Sequence, residues 1–296
     1  MRDPLVTGGP DSGPAPITHR AAVLGSPIAH SLSPVLHRAA YAALGLTGWD
    51  YGRHEVDEAA LPAFLERIAK DQEAGGARWA GLSLTMPLKR AVIPLLDGIS
   101  ATASGVEAVN TVVFGPDGRR TGENTDIPGL VAALRERGVE RVGTAAVLGA
   151  GATASSALAA LAAMGAERVT AYVRGPARAA EMRGWGERLG VPVVTADWAS
   201  AADALAEPLV VSTTPAGATD HLAAAVPARP GALFDVLYEP WPTPLAAAWS
   251  ARGGVLLGGL DLLVHQAVLQ VELMTGRAQA PLAAMRAAGE AALAAR

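Results

Sequence analysis

A glycine turn between an apolar run and an alanine-rich segment constrains this chain more than any other stretch. Residues 144–174 read TAAVLGAGATASSALAALAAMGAERVTAYVR. The apolar run 145–148 meets Gly149-Ala150-Gly151-Ala152-Thr153-Ala154, an Ala- and Leu-rich segment follows and stops at Gly165, and a second β run occupies 168–173. Strand, tight turn, helix and strand in that order form the opening unit of a dinucleotide-binding domain. Gly149 permits the turn, Gly151 lets the backbone approach a pyrophosphate, and Ala154 is small where helix must pack on strand. The new helix then offers free N–H groups and the positive end of its dipole to phosphates. A buried turn without a ligand can carry the same string, so the flanking strand and helix matter as much as the glycines.

The end of the second strand distinguishes between cofactors. A chain that binds NAD usually carries an acid there for the ribose hydroxyls. Here the segment is Tyr172-Val173-Arg174-Gly175-Pro176-Ala177-Arg178, with two arginines and no acid. Arginine suits a 2′-phosphate, which favours NADP, although a solvated arginine pair has the same appearance.

With 296 residues, half of them hydrophobic and 18% charged, the chain has the length for two domains with substantial cores. A net charge of −4 gives no attraction for nucleic acid or an anionic membrane. Cysteine is absent, which excludes disulfides, a thiol nucleophile and cysteine metal sites, and fits a cytoplasmic enzyme. The six histidines, at 19, 30, 37, 54, 221 and 265, form no ligand cluster, and no metal is expected. Neither a G-x-S-x-G elbow nor a Walker loop occurs. Residues 1–18 are rich in Gly and Pro and lack an apolar run, as in a disordered tail and unlike a signal peptide. The uncharged run 143–166 is long enough to span a bilayer, but its glycines, Thr153, Ser155, Ser156 and many alanines read as strand plus helix.

From the glycine turn onward the pattern alternates β and α, which predicts a parallel sheet covered by helices on both faces. Strands are expected over 19–25, 49–56, 79–85, 191–195, 209–213, 233–238 and 254–257, and a hairpin over 108–122 around Gly115-Pro116-Asp117-Gly118. Helices are expected over 35–44, 58–70, 130–137, 177–189, 260–274 and 281–295. Ser33-Pro34 reads as an N-cap followed by proline at the first helical position. Ser31 lies two residues earlier, so in an extended chain both hydroxyls leave the same side and offer two donors to a carboxylate. Pro87 reads as a second helix start with Lys89 in its first turn, facing the positive end of the dipole, a setting suited to proton transfer. A solvent-facing lysine is the plainer reading, just as Asp126 reads most simply as an N-cap.

The segments GSPIAHSLSP, GLSLTMPLK, AVNT, GENTD, GAGAT and GLDLLVHQA, in this order over roughly 20–277, resemble the shikimate dehydrogenase family. The resemblance implies an α/β protein of two domains: an N-terminal substrate domain and a Rossmann-type doubly wound nucleotide-binding domain. The substrate domain would comprise 19–125 and 260–296, and the nucleotide domain 126–259. It implies reduction of 3-dehydroshikimate to shikimate with NADPH, on the route to chorismate and the aromatic amino acids. Lys89 and Asp126 fall on the catalytic pair, and Ser31 and Ser33 on the carboxylate-binding pair. Thr85, Asn110, Tyr238 and Gln266 fall on further substrate contacts. Gly149, Ala150, Gly151, Ala152, Thr153, Arg174 and Arg178 fall on NADP-binding positions, and Gly259 on a glycine near the nicotinamide. No nucleic acid or membrane partner is implied, and the chain is expected as a monomer or homodimer.

Three positions depart from the family pattern. Ser83 stands where asparagine is usual, a shorter donor that leaves room for water. Val173 replaces the asparagine before the family's arginine and removes a contact near the adenosine. Ser212-Thr213-Thr214-Pro215 differs from the usual cofactor loop. A quinate/shikimate dehydrogenase using NAD, and a non-catalytic paralogue sensing shikimate or cofactor, are the alternatives. Arg174 speaks against the first, and the presence of both Lys89 and Asp126 against the second. His265 reads as a packed or partly exposed helix residue.

Overall fold

The computed structural model describes residues 16–296. The tail expected over 1–18 therefore lies outside the described residues up to position 15, and its last residue is tied down, Thr18 N–H donating to Gly48 O at 2.8 Å. Twelve strands among the described residues form two sheets of six. The first sheet contains β1 (His19–Gly25), β2 (Trp49–Glu55), β3 (Arg78–Leu84), β4 (Gly98–Ile99), β5 (Thr111–Phe114) and β6 (Arg120–Glu123), in the order β2-β1-β3-β5-β6-β4. The second contains β7 (Thr144–Leu148), β8 (Arg168–Val173), β9 (Val193–Asp197), β10 (Leu209–Ser212), β11 (Ala232–Asp235) and β12 (Val255–Leu257), in the order β12-β11-β10-β7-β8-β9.

The second sheet is parallel throughout. Counted from β7 its strands run 3-2-1-4-5-6, the doubly wound Rossmann order, and the order reverses between β7 and β10. After Thr144 β7 is apolar because helices cover both faces, and Ala145–Leu148 are all buried. The uncharged run 143–166 is divided between β7 and the helix Ala152–Ala163, and among the described residues no helix is long and apolar enough to cross a membrane.

The first sheet is mixed, and the hairpin expected over 108–122 is part of it. β1 lies parallel to β2 and β3, but β5 runs antiparallel to both β3 and β6. The hairpin at Gly115–Gly118 accounts for the β5–β6 pair, since a tight turn can only join antiparallel neighbours; Gly118 has φ +81°, and Gly115 N–H donates to Arg119 O at 2.8 Å.

Several helix starts also move. The helix expected at 58–70 spans Leu61–Glu73, because Asp57 Oδ1 accepts from Ala60 N–H at 2.8 Å and turns the chain once before Pro62 enters the first helical turn. The helix expected at 130–137 begins at Asp126, with Thr125 in the cap position, and runs to Glu136. This earlier start matters to the site. It carries Asp126 on its first turn and places Gly129 against the helix Gly259–Thr275, where a Cβ at position 129 would lie 2.9 Å from Gln266 N.

The two sheets are joined by packing as well as by chain. One apolar cluster runs from Val147, Val169 and Trp185 of the second sheet's layer through Leu158 to Ile127, Leu130, Leu134 and Leu262. The helix Gly259–Thr275 also presents Val264, Ala267 and Val271 to Leu36 and Ala40 on the other side. The chain from Gly259 onward thus returns to the first sheet after the second is complete.

Candidate active site

A cavity of about 240 Å³ lies where the ends of β1 and β3 face the helix Gly259–Thr275 and the turn after β7. It gathers all eight positions expected to contact substrate: Ser31, Ser33, Thr85, Lys89, Asn110, Asp126, Tyr238 and Gln266. Of the eight expected cofactor positions, Thr153 and Gly259 reach it.

Lys89 Nζ donates to Asp126 Oδ2 at 2.6 Å, and the two side chains are 14% and 9% exposed. The helix carrying Lys89 is a single turn, Leu88–Ala91, so the dipole argument loses most of its force. What orders Lys89 is the carboxylate. Asp126 in turn accepts from Asn110 Nδ2 at 2.9 Å. Asn110 is almost wholly buried, and its remaining capacity is met inside the protein. Its Oδ1 accepts from Thr125 N–H at 2.8 Å and from the Thr111 hydroxyl at 2.9 Å, while Nδ2 also reaches Thr125 Oγ1 at 2.9 Å and Gln266 Oε1 at 3.3 Å.

The serines converge as expected, but for a different reason. Leu32 between them is helical (φ −86°, ψ −8°), not extended, and occupies the cap position, so Ser33 is the first helical residue and not the N-cap. Ser31 supplies the capping oxygen, accepting Ser33 N–H and lying 3.3 Å from Ser33 Oγ. Tyr238 does not end a strand. β11 stops at Asp235, and the chain has left the sheet three residues before the tyrosine. Burial raises the Tyr238 hydroxyl above the ordinary tyrosine value, with Arg296 opposing.

Ser83 lines the cavity, but its hydroxyl is already engaged by protein groups. It is 4% exposed, accepts from Tyr51 Oη at 2.6 Å and donates to Gln270 Oε1 at 2.7 Å. Gln270 and Tyr51 are polar groups that the sequence reading missed. Gln270 stands four residues after Gln266 on one helix, a spacing that puts both amides on one face.

On the cofactor side, the helix Ala152–Ala163 begins at Gly151 without a side-chain cap, leaving its first N–H groups for an anion. Gly149 has φ +115°, and a Cβ there would meet Thr213 Oγ1 at 2.5 Å, so the turn itself requires glycine. A Cβ at Gly151 would meet nothing within 4 Å, the open space a pyrophosphate needs. Arg174 is exposed at the end of β8 with its guanidinium 5.3 Å from the Trp198 ring centroid, while Arg178 is held by Glu181 at 2.8 Å. Glu181 also meets Arg90 at 2.8 Å; burial opposes ionisation, but the two arginines hold its carboxyl below the usual value. Val173 is a core residue 4% exposed, packed with the second sheet and not turned to the surface. These residues fit a 2′-phosphorylated dinucleotide. Away from the cavity mouth, His265 is 3.0 Å from Glu136, which Arg286 also meets at 2.5 Å. Burial would raise the Glu136 carboxyl, but His265 and Arg286 together hold it below its usual value. Among the described residues no group of three or more His, Asp or Glu side chains is gathered for a metal.

A Rossmann sheet and a mixed α/β sheet meeting over a lysine–carboxylate pair make up a two-lobed nicotinamide-dependent oxidoreductase. Residues 23–112 match the shikimate dehydrogenase substrate binding domain, and residues 259–288 the shikimate 5′-dehydrogenase C-terminal domain. The chain is 37% identical to the shikimate dehydrogenase (NADP(+)) of Methylobacterium radiotolerans, over 88% of this chain and 92% of that one. The crystal structure of Mycobacterium tuberculosis shikimate dehydrogenase superposes with a TM-score of 0.82 at 42% identity, covering 92% of this chain and 99% of that one. That of Thermus thermophilus shikimate 5-dehydrogenase in complex with NADP(H) and shikimate gives 0.77 at 33% identity, covering 92% and 99%. The chain belongs to the shikimate dehydrogenase family.

Proposed function

We propose that this protein interconverts 3-dehydroshikimate and shikimate with NADP(H), on the route to chorismate and the aromatic amino acids. The observation that carries the reading is the Lys89–Asp126 pair at 2.6 Å, in a cavity bounded by the Ser31 and Ser33 hydroxyls on one side and by Thr153 and Gly259 on the other. The cofactor, when bound, supplies the hydride. The paired serine hydroxyls bind the substrate carboxylate, and Thr85, Asn110, Tyr238 and Gln266 surround the ring. Lys89 stands as proton donor and positive charge beside the carbonyl oxygen as negative charge develops there, and Asp126 holds it in line. Gly149, Ala150, Gly151, Ala152 and Thr153 take the pyrophosphate, Arg174 and Arg178 the 2′-phosphate, and Gly259 lies beside the nicotinamide. Residues 19–125 and 260–296 act as the substrate domain and 126–259 as the nucleotide domain, in a cytoplasmic enzyme working as monomer or homodimer.

The exposed Arg174 stacked on Trp198 favours NADP over the quinate-and-NAD alternative. Nicotinamide absorbance with shikimate or quinate, each against NADP and NAD, tests the reading. Turnover is expected with shikimate and NADP; activity confined to quinate with NAD, or binding of both ligands without turnover, overturns it.

A further inference from the structure

In the cavity wall, Gln270 is 1% exposed and all of its hydrogen-bonding capacity is used. Its Nε2 donates to Asn110 O at 3.3 Å and to Thr111 Oγ1 at 2.9 Å; its Oε1 accepts from Ser83 Oγ at 2.7 Å and lies 3.4 Å from His37 Nε2. The orientation of this amide is not arbitrary. A main-chain carbonyl only accepts, so the corner of Gln270 facing Asn110 O must be the NH₂. Thr111 Oγ1 therefore receives a hydrogen from Gln270 and has its own hydrogen free to give. It gives it to Asn110 Oδ1, which the Thr125 N–H also requires to be an acceptor. With its oxygen so committed, Asn110 can only present its NH₂ to Asp126 Oδ1, the oxygen not used by Lys89.

We propose that Gln270 is a positioning residue for the reaction: by committing the Thr111 hydrogen to Asn110 Oδ1 it adds a second donor to the one from Thr125 N–H, locks the Asn110 amide with its NH₂ on Asp126, and thereby steadies the carboxylate that aligns Lys89. Directed chains of this kind strengthen along their length and are costly to reverse in a buried setting. This rests on the proposed roles of Lys89 and Asp126, and its test carries a readout independent of turnover.

Two variants separate the polarity of Gln270 from its bulk. Gln270→Met keeps the length and removes the polar atoms. Gln270→Glu keeps the shape but offers Thr111 an acceptor, drawing its hydrogen away from Asn110. With shikimate and NADP, kcat is expected to fall about tenfold in Gln270→Met and further in Gln270→Glu, the scale of loss when a reacting group is no longer held in line. KM for NADP stays within about twofold, because the nucleotide turn shares no partner with Gln270. The Asn110 side-chain ¹⁵N–¹H signals of the folded, ligand-free protein report the same chain directly and are expected to shift in both variants. Melting temperatures recorded alongside separate loss of fold from loss of alignment. Unmoved Asn110 signals, or kcat within about twofold of the parent in both folded variants, overturns the proposal. Should the parent fail to turn over shikimate, the proposed function falls, and the Asn110 signals alone decide whether Gln270 steadies that amide.

Discussion

Replacing Lys89 with methionine removes the lysine that lines the cavity while keeping its aliphatic length. A positioned proton donor contributes roughly 10²- to 10⁴-fold to turnover, so kcat is expected to fall by about 10²-fold or more. At 1.36 kcal/mol per decade, that is a loss of about 2.7 kcal/mol or more of transition-state stabilisation. The cost to folding is smaller. Removing one member of a buried ion pair can cost about 3–5 kcal/mol when the other charge is left without partners. Asp126 is not left so: Asn110 Nδ2 still donates to it at 2.9 Å, and it stands in the first turn of the helix Asp126–Glu136, where a negative charge is favoured. A loss of about 2 kcal/mol is therefore expected, which leaves the fold intact. NADPH affinity should change by no more than about twofold, because Lys89 shares no hydrogen bond with the turn after β7. Steady-state absorbance at the nicotinamide band, a fluorescence titration with NADPH, and urea unfolding read the three quantities on one preparation. Near-parental turnover would refute the role of Lys89. A parallel loss of NADPH binding would show instead that the substitution had disturbed the cleft.

Three further outcomes are expected. Gly259→Ala drives a Cβ to 2.0 Å from Val236 O, so unfolding free energy should drop by about 3 kcal/mol. Gly151→Ala meets open space in an extended backbone and should cost under about 1 kcal/mol in urea unfolding while weakening NADPH binding; equal stability losses in the two variants would contradict this account. Burial lowers the His37 imidazole to about 3, the Gln270 hydrogen bond opposing, whereas the unfolded chain takes up that proton near 6.5. His37 thus contributes stability that is complete above about pH 6.5 and declines as pH falls towards 3, a loss of about 2 kcal/mol between pH 7 and pH 5. His37→Phe should flatten that interval in urea unfolding, and an unchanged pH dependence would exclude His37 as its source. Arg174→Ala should raise KM for NADP about tenfold or more and leave KM for NAD nearly unchanged, since only the 2′-phosphate engages the guanidinium; equal effects on both cofactors would mean that Arg174 serves the adenine through Trp198 instead.

Chemistry that depends on local backbone was open to reading from the chain alone. The strand before Gly149, the uncapped helix after Gly151 and the arginine at the end of β8 all follow from residues adjacent in sequence. So does the hairpin at Gly115–Gly118, where a positive φ is needed within four residues. The register of the segments containing Ser31, Lys89, Asp126 and Gln266 was likewise enough to point to one family and to one cavity.

Tertiary structure decided the rest, because the remaining features depend on what a residue meets across the fold. A lysine in a one-turn helix reads as a dipole effect, but its position is set by an aspartate 37 residues away. Gly129 lies just before the helix expected at 130–137, and it is the place where two helices cross closely against Gln266. Ser83 looks like a shortened ligand with space around it, yet Tyr51 and Gln270 take up its hydroxyl from either side. Sequence determined the type and order of most elements and which polar residues were candidates for the site, since periodicity, glycine turns and charge are local properties, whereas helix starts shifted with the packing around them. Which way the buried amides of Asn110 and Gln270 point was settled only by the fold, because a hydrogen-bond direction is dictated by fixed donors and acceptors on other strands and helices.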